Sequence, residues 1–396
     1  MSVTVGGLVE PGFEAVRDAF ARNFDEHGEI GAGFSLHVEG RKVVDIWGGI
    51  ADESTGRAYD EDTLQLVFST TKGATATCVN LLIQRGLIDP DKPVAAYWPE
   101  FAQAGKESIS VRWLMSHKAG LATVDKKLSL DEVLAWEPLI EAFEVQEPLW
   151  EPGAEHGYHA VTFGHLLGEL IRRVDGRGLG QFFAEEIAQP LGLEFWIGLP
   201  EAEERRVAPM IGGITPSAGD IPEEMRELFA QFVGPDSLLG RALNLNGVFQ
   251  MDDWNSRKVH AAEIGAANGI TNARSLSRMY AGIIGSLDGS PAAPLFTRET
   301  IDNARERQTS GNDKCLFFET TFGLGYMTSS PFAPYGGAGS FGHAGAGGSV
   351  GFADPDNGIA VGYVMNKMLA NLSADPRTHG LIKASYEAVG APIAYV

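Results

Sequence analysis

A hydroxyl and an amine three residues apart, Ser69 and Lys72, are the pair in this sequence best placed for covalent chemistry. They lie in Leu66-Val67-Phe68-Ser69-Thr70-Thr71-Lys72-Gly73-Ala74, where an extended apolar run gives way to a helical pattern. Ala74, Cys78, Leu81 and Leu82 carry that pattern, and Gly86 closes it. A separation of three returns a side chain to the same helix face one turn later. A serine hydroxyl is a weak nucleophile until a neighbouring base takes its proton. An ammonium partly desolvated at the positive end of a helix has its pKa lowered, so it can act as that base. Helix-start N–H groups also suit a developing oxyanion. The tetrapeptide alone fits equally a capping serine beside a solvated lysine, and a chain of this length holds about one Ser-x-x-Lys by accident. Its meaning depends on what accompanies it.

Two other stretches accompany it. Glu151-Pro152-Gly153-Ala154-Glu155-His156-Gly157-Tyr158-His159-Ala160 leads straight into a helical pattern, and Phe341-Gly342-His343-Ala344-Gly345-Ala346-Gly347-Gly348-Ser349 leads into a β-like one. Taken singly, Tyr158 reads as a partly buried core tyrosine and His343 as a surface or capping histidine. Taken with Ser69-x-x-Lys72, in this order and at these separations, the three stretches resemble the penicillin-recognising serine hydrolases. The closest likeness is to class C β-lactamases and family VIII carboxylesterases. Ile109 to Leu121 is similar to that family's Leu-Leu-x-His-x-Ser-Gly-Leu element, and Ala267-Asn268-Gly269 to Arg274 to the lead-in of a later helix. The resemblance covers roughly residues 10 to 390.

The resemblance implies a β-lactamase/penicillin-binding-protein-like α/β (α+β) fold, an antiparallel sheet flanked by helices with an inserted helical region. It also implies roles. Ser69 would attack the substrate carbonyl, and Lys72 would ease its deprotonation. Tyr158 would act with Lys72 as general base and then protonate the leaving group, with the nearby ammonium favouring its phenolate. The backbone N–H groups of Ser69 and Ala346 would form the oxyanion hole. Phe68, His159, His343 and Gly345 would border the substrate. Two departures from the lactamase pattern shift the expected substrate. Tyr-x-Asn is Tyr158-His159-Ala160 here, so the amide that would hold an acylamino group is missing. Lys-Thr-Gly is His343-Ala344-Gly345, which removes a permanently charged partner for a carboxylate. A neutral ester of small or medium acyl chain is the simpler substrate; a β-lactamase, a D-amino-acid peptidase or amidase, or an acyltransferase would use the same residues, and a silent acyl-binding module would not need them intact.

The elements that must position these residues are legible in outline. Phe13, Val16, Phe20 and Phe24 mark an amphipathic first helix ending near Gly28. Residues 34–38 and 43–47 flank Glu39-Gly40-Arg41-Lys42 as a β-hairpin. His37 alternates within its first strand and reads as structural. Ile109 to Leu121 predicts a capped helix closing on Gly120. Helical patterns follow over 130–143, 162–174, 180–187 and 272–284. Residues 321–327, 349–353 and 359–365 read as strands, and 381–389 as a last helix. Strand signals are scarce between about 86 and 240, and 211–255 has no clean period. The pattern predicts an α/β domain from 1–85 and 240–396, with a mainly helical domain, 86–239, inserted. The early hairpin and the late strands must share a sheet to bury their apolar faces, leaving a cleft at the insertion for Ser69.

Composition narrows the field. The 396 residues, 44% hydrophobic, suffice for a large core, and 31 basic against 52 acidic residues give a formal charge of −21. That charge argues against nucleic acid or an anionic membrane as partner, leaving a small ester and, at most, a second copy of the chain. Two cysteines, Cys78 and Cys315, make no disulfide framework and fit a reducing interior. With no basic or long apolar leader and no membrane-length apolar run, cytoplasm is the expectation. The nine histidines show no metal-ligand spacing, and the Gly-rich 336–351 segment lacks the Gly-Lys-Ser/Thr of a phosphate loop, so no cofactor is expected. Gly347-Gly348-Ser349-Val350-Gly351 matches the Gly-x-Ser-x-Gly nucleophile elbow. That elbow needs a helix after its serine, whereas a Pro/Gly turn between β-like runs follows here.

Overall fold

The hairpin around Glu39-Gly40 is the seed of a large antiparallel sheet. The computed structural model describes residues 3–213, 234–290 and 293–396. An opening strand, β1 (Val5–Val9), pairs with β3 (Arg41–Asp52), which forms the hairpin with β2 (Gly31–Val38). Glu39 and Gly40 have φ of 50° and 77°, the doubly left-handed turn whose twist suits a two-residue hairpin. A short β4 (Arg57–Ala58) extends β3. Four more short strands, β5 (Leu64–Leu66), β6 (Phe195–Trp196), β7 (Val207–Ala208) and β8 (Ile270–Thr271), form a second sheet in the order β6-β8-β5-β7.

The late strands complete the main sheet. They are β9 (Thr309–Asn312), β10 (Glu319–Phe322), β11 (Met327–Thr328), β12 (Phe341–Ala344), β13 (Val350–Asp354) and β14 (Ile359–Met365). The order is β1-β3-β2-β14-β13-β12-β11-β10-β9, so the early hairpin meets the late strands through β2 and β14. The Ala273–Ile284 helix lies across one face, tight enough that a Cβ on Gly362 would stand 2.4 Å from the Ala273 carbonyl oxygen. On the other face the Glu14–Glu26 helix buries Val16, Ala19, Phe20 and Asn23, the i, i+3, i+4, i+7 stripe.

The Thr71–Gln84 helix has no such stripe, because residues 71 to 82 are all buried. Its polar side chains are satisfied internally: Thr75 donates to the Gly265 carbonyl (2.6 Å) and Asn80 to that of Leu324 (3.0 Å). This helix carries Lys72 through the middle of the molecule, between the sheet and the Thr162–Asp175 helix.

Several local expectations change. The segment from Ile109 is helical only over Val111–Met115, capped by Ser110. His117, at φ 62°, ends it because its Nδ1 is committed to the backbone N–H of His159 (3.1 Å). The pattern over 130–143 divides into Leu130–Leu134 and Glu137–Val145. Trp136 stands between them at φ 73°, and its indole donates to Glu169 (2.9 Å). Residues 321–327 are a hairpin rather than one strand, with Phe322 opposite Met327 and Gly325 at φ 85°. Edge strands β1 and β9 carry no alternating apolar signal, since Val5-Gly6-Gly7 and Thr309-Ser310-Gly311-Asn312 have little to bury. Of the stretch 211–255, residues 214–233 lie outside those described; the rest holds a Leu238–Leu243 helix and a 3₁₀ turn, Met251–Asn255. Cys78 and Cys315 are both buried and free.

Candidate active site

Ser69 occupies a 3₁₀ turn, Phe68–Thr70, that runs into the Thr71–Gln84 helix. The turn is pinned on each side. Val67 donates to the Gly269 carbonyl (2.9 Å), and the Thr71 hydroxyl donates to that of Phe68 (2.6 Å). Phe68 has φ 42°, a left-handed conformation that a bulky residue holds only where its surroundings impose it. Its ring meets Trp254 edge-on at 5.3 Å, and Trp254 stacks on Phe249 at 4.7 Å. Ser69 itself keeps part of its surface exposed while Phe68, Thr70 and Lys72 are buried.

Lys72 has no exposed surface. Its Nζ lies 3.1 Å from Ser69 Oγ, 2.6 Å from the Ala160 carbonyl oxygen and 3.0 Å from that of Ala266. It also sits 4.7 Å from the centre of the Tyr158 ring. Burial alone pushes the Lys72 pKa well below the ordinary lysine value. The Ser69 side chain favours the Tyr158 phenolate, working against the desolvation there. Tyr158, far from the Ser69–Lys72 pair in sequence, therefore lies beside it in space. One electrostatic expectation fails: desolvation, with help from the Asp313 carboxylate, raises the Tyr158 pKa instead of lowering it.

Tyr158 is fixed by residues outside the motifs. Asp313 accepts the backbone N–H of Tyr158 (3.0 Å) on the same oxygen that takes those of Cys315 (2.8 Å) and Leu316 (2.9 Å). His117 packs on the ring at 5.1 Å, and Phe322 stacks parallel to it at 6.1 Å. An aspartate after Gly311-Asn312 reads in sequence as an exposed turn former, so nothing marked Asp313. His117 could have been found, since it lies in the element that resembles the family.

The expected substrate wall changes. His343 has no exposed surface; its Nδ1–H donates to the Ala344 carbonyl (2.7 Å), and its ring lies 6.0 Å from that of Tyr158, on the protein side. Burial lowers its pKa to about 3, so it is neutral. His159 is equally enclosed, bonded to the Gly157 carbonyl (2.7 Å) and the Leu121 N–H (2.9 Å), with its pKa lowered to about 4. Neither histidine presents surface to solvent beside Ser69. Gly345 serves close packing, because a Cβ there would lie 2.2 Å from Ser349 Oγ and 2.3 Å from the Val67 carbonyl oxygen. Phe68 retains a small exposed edge beside Ser69.

Ala346 stands two residues after β12 in a tight turn, partly exposed. In that turn Gly345 N–H donates to Ser349 (2.7 Å), Gly347 N–H to Asn371 (3.0 Å) and Gly348 N–H to Gly345 (3.1 Å). Among the described residues no acceptor takes the Ala346 N–H. Ser349 is a buried support: its hydroxyl donates to the Val67 carbonyl (2.8 Å) and lies 3.0 Å from that of Thr70. Strand β13 follows it, so the elbow match has no elbow. Among the described residues no cluster of His, Cys, Asp and Glu could hold a metal, and no helix is long and apolar enough to cross a membrane.

A serine at a helix start, a buried lysine one turn on, and a tyrosine delivered from a helical region against an antiparallel sheet define a β-lactamase-fold serine hydrolase. The Beta-lactamase family matches residues 16–384, and the chain belongs to that family. It is 35% identical over 382 residues to Esterase/beta-lactamase LipL of Mycobacterium tuberculosis, covering 93% of this chain and 84% of that protein. Among solved structures, a family VIII carboxylesterase matches with a TM-score of 0.85 at 36% identity, over 97% of this chain and 100% of the other. EstA from Arthrobacter nitroguajacolicus Rue61a matches at 0.86 and 34%, over 97% and 98%.

Proposed function

We propose that the protein is a carboxylesterase that hydrolyses small or medium acyl esters through an acyl-enzyme on Ser69. The observation that carries the reading is the surroundings of the Lys72 amine. An unprotonated amine has two N–H bonds and one lone pair. The Ala160 and Ala266 carbonyls account for the two donors, and the lone pair is left to face Ser69 Oγ at 3.1 Å. Because burial favours the neutral amine, the base is ready before substrate arrives.

In acylation the Ser69 proton passes to Lys72 as Oγ bonds to the substrate carbonyl carbon. The carbonyl oxygen takes the electron pair and is stabilised by the N–H groups of Ser69 and Ala346. Collapse breaks the bond to the alcohol, which takes a proton from Tyr158, and the Lys72 ammonium restores that proton. Water then gives its proton to the same pair, and Ser69 leaves the acyl group protonated. Tyr158 acts as a neutral relay, consistent with the raised pKa of its phenol. A β-lactam or D-peptide would find neither an asparagine two residues after Tyr158 nor a cation at position 343. The names of two relatives, the esterase/beta-lactamase and the family VIII carboxylesterase, support the esterase reading.

The test is a burst of p-nitrophenol from p-nitrophenyl acetate, one equivalent per site, lost in Ser69→Ala. A panel of acyl lengths run beside nitrocefin separates ester from lactam; faster turnover of nitrocefin than of every ester would overturn the substrate assignment.

A further inference from the structure

Arg377, at the first turn of the C-terminal Pro376–Val389 helix, is a fully buried cation about thirty residues from the turn it touches. Its guanidinium is saturated. Nε donates to Asp375 Oδ1 (2.9 Å), and one terminal nitrogen donates to Glu29 (3.1 Å) and the Lys367 carbonyl (2.8 Å). The other donates to Asp375 Oδ2 (2.9 Å) and, at 2.5 Å, to the carbonyl oxygen of Gly347. Gly347 follows Ala346, whose N–H is the unclaimed donor.

The contact is built in from both sides. Gly347 and Gly348 have φ of 85° and 135°, which side-chain-bearing residues rarely adopt. A Cβ on Gly348 would stand 2.3 Å from the Arg377 nitrogen and 2.6 Å from Asp375 Oδ2, so the backbone approaches the ion pair as closely as a glycine permits. The same Gly347 carbonyl accepts the Leu369 N–H (3.1 Å), and Gly347 N–H reaches Asn371, whose side chain donates to Asp375 (2.8 Å). The Gly347 residue, directly after Ala346, is thus tied through both its N–H and its carbonyl to one buried network. Burying a charge this deeply is costly unless it is fully paired. Spending one of its strongest hydrogen bonds on a carbonyl beside the cleft gives that charge a second use.

We propose that Arg377, held by Asp375 and Glu29, is a positioning residue that fixes the orientation of the Ala346 N–H in the oxyanion hole. The proposal rests on the reading of Ala346 as an oxyanion donor. Removal of such a donor lowers turnover by about 10²–10³-fold. Arg377→Lys keeps the charge but cannot reach Gly347 and Asp375 with a planar fork. It is expected to lower kcat per titrated active site by about 10–100-fold with KM within about 2-fold. Asp375→Asn keeps Arg377 but loosens its grip, and is expected to lower kcat by about 3–10-fold.

The discriminating readout is the ratio of kcat/KM for an ester to that for its thiono analogue, whose sulfur fits an oxyanion hole poorly. Active sites are counted by the p-nitrophenol burst, so loss of folded protein does not enter. A ratio that falls toward unity in either variant supports the proposal. An unchanged ratio and unchanged kcat per titrated site in the variants that fold overturn it, while the Ser69 burst leaves the esterase reading standing. Should Arg377→Lys not fold, the Asp375→Asn ratio alone decides. A wild-type protein with no burst defeats the underlying reading instead.

Discussion

Lys72 and Lys106 are both fully buried lysines, and their surroundings differ. Lys106 donates to three carbonyls, those of Gln103 (2.8 Å), Glu144 (3.0 Å) and Gln146 (2.8 Å), the last two at the C-terminal end of the Glu137–Val145 helix. Three acceptors and the negative end of a helix suit an ammonium. Burial lowers its pKa, the carboxylates of Glu107, Glu144 and Glu147 oppose this, and it comes to rest at about 8. Lys72 meets two carbonyls and a hydroxyl, and desolvation alone governs its pKa. A serine hydroxyl in place of the third carbonyl, and the lack of nearby acid, set Lys72 apart from Lys106 and fit the proposed role as base.

The contrast breaks first at the nucleophile and its base. Ser69→Ala or Lys72→Met is expected to lower kcat by about 10³–10⁶-fold with folding retained, measured by steady-state ester hydrolysis and circular dichroism. Lys106→Met should leave kcat per titrated site unchanged while lowering unfolding free energy by about 2–4 kcal/mol in urea titrations, because carbonyls lose their donor. If Lys106→Met also abolishes acylation, the distinction between the two lysines is lost. Tyr158→Phe keeps the ring stack on Phe322 and removes the relay; a drop in kcat of about 10²–10⁴-fold is expected.

The desolvation that lowers the Lys72 pKa also acts on imidazoles. Burial lowers His37 and His343 to about 3, and His159 and His165 to about 4. An unfolded histidine protonates near pH 6.5, so below that pH the unfolded chain binds more protons than the folded one. Stability should therefore fall as pH drops from about 6.5 toward about 4, by up to about 1.4 kcal/mol per pH unit for each such histidine. Urea midpoints across that window check the sign; a midpoint that rises on acidification would contradict it. The smallest effect is expected at Ser349, where Ser349→Ala removes a donor to Val67 and should change kcat by less than about 5-fold.

Ser69, Lys72 and Tyr158 were legible because their types, order and separations carry a resemblance. So were the hairpin that seeds the sheet and the helix after Tyr158, each with a clear period. What stayed hidden depends on contacts made across the fold. Asp313 and Arg377 look like surface residues in their own neighbourhoods, and only the folded chain brings one under Tyr158 and the other under Gly347. His343 reads in sequence as a surface or capping histidine, and the four-residue strand that carries it has no alternating signal. Its enclosure behind Tyr158 follows from how β12 packs on the Thr71–Gln84 helix, which local pattern does not encode. The helix expected through Gly120 fails for the same reason, since His117 gives up helical geometry for a tertiary bond.

The most direct test of Lys72 as the resting base is the acylation rate constant, followed by stopped-flow release of p-nitrophenol as pH is varied. A lysine kept neutral by burial predicts an acylation rate already on its plateau at neutral pH, falling only on the acid side. A rate that climbs through pH 9 to 11, the ordinary lysine range, would mean that Lys72 rests as an ammonium and that the base lies elsewhere.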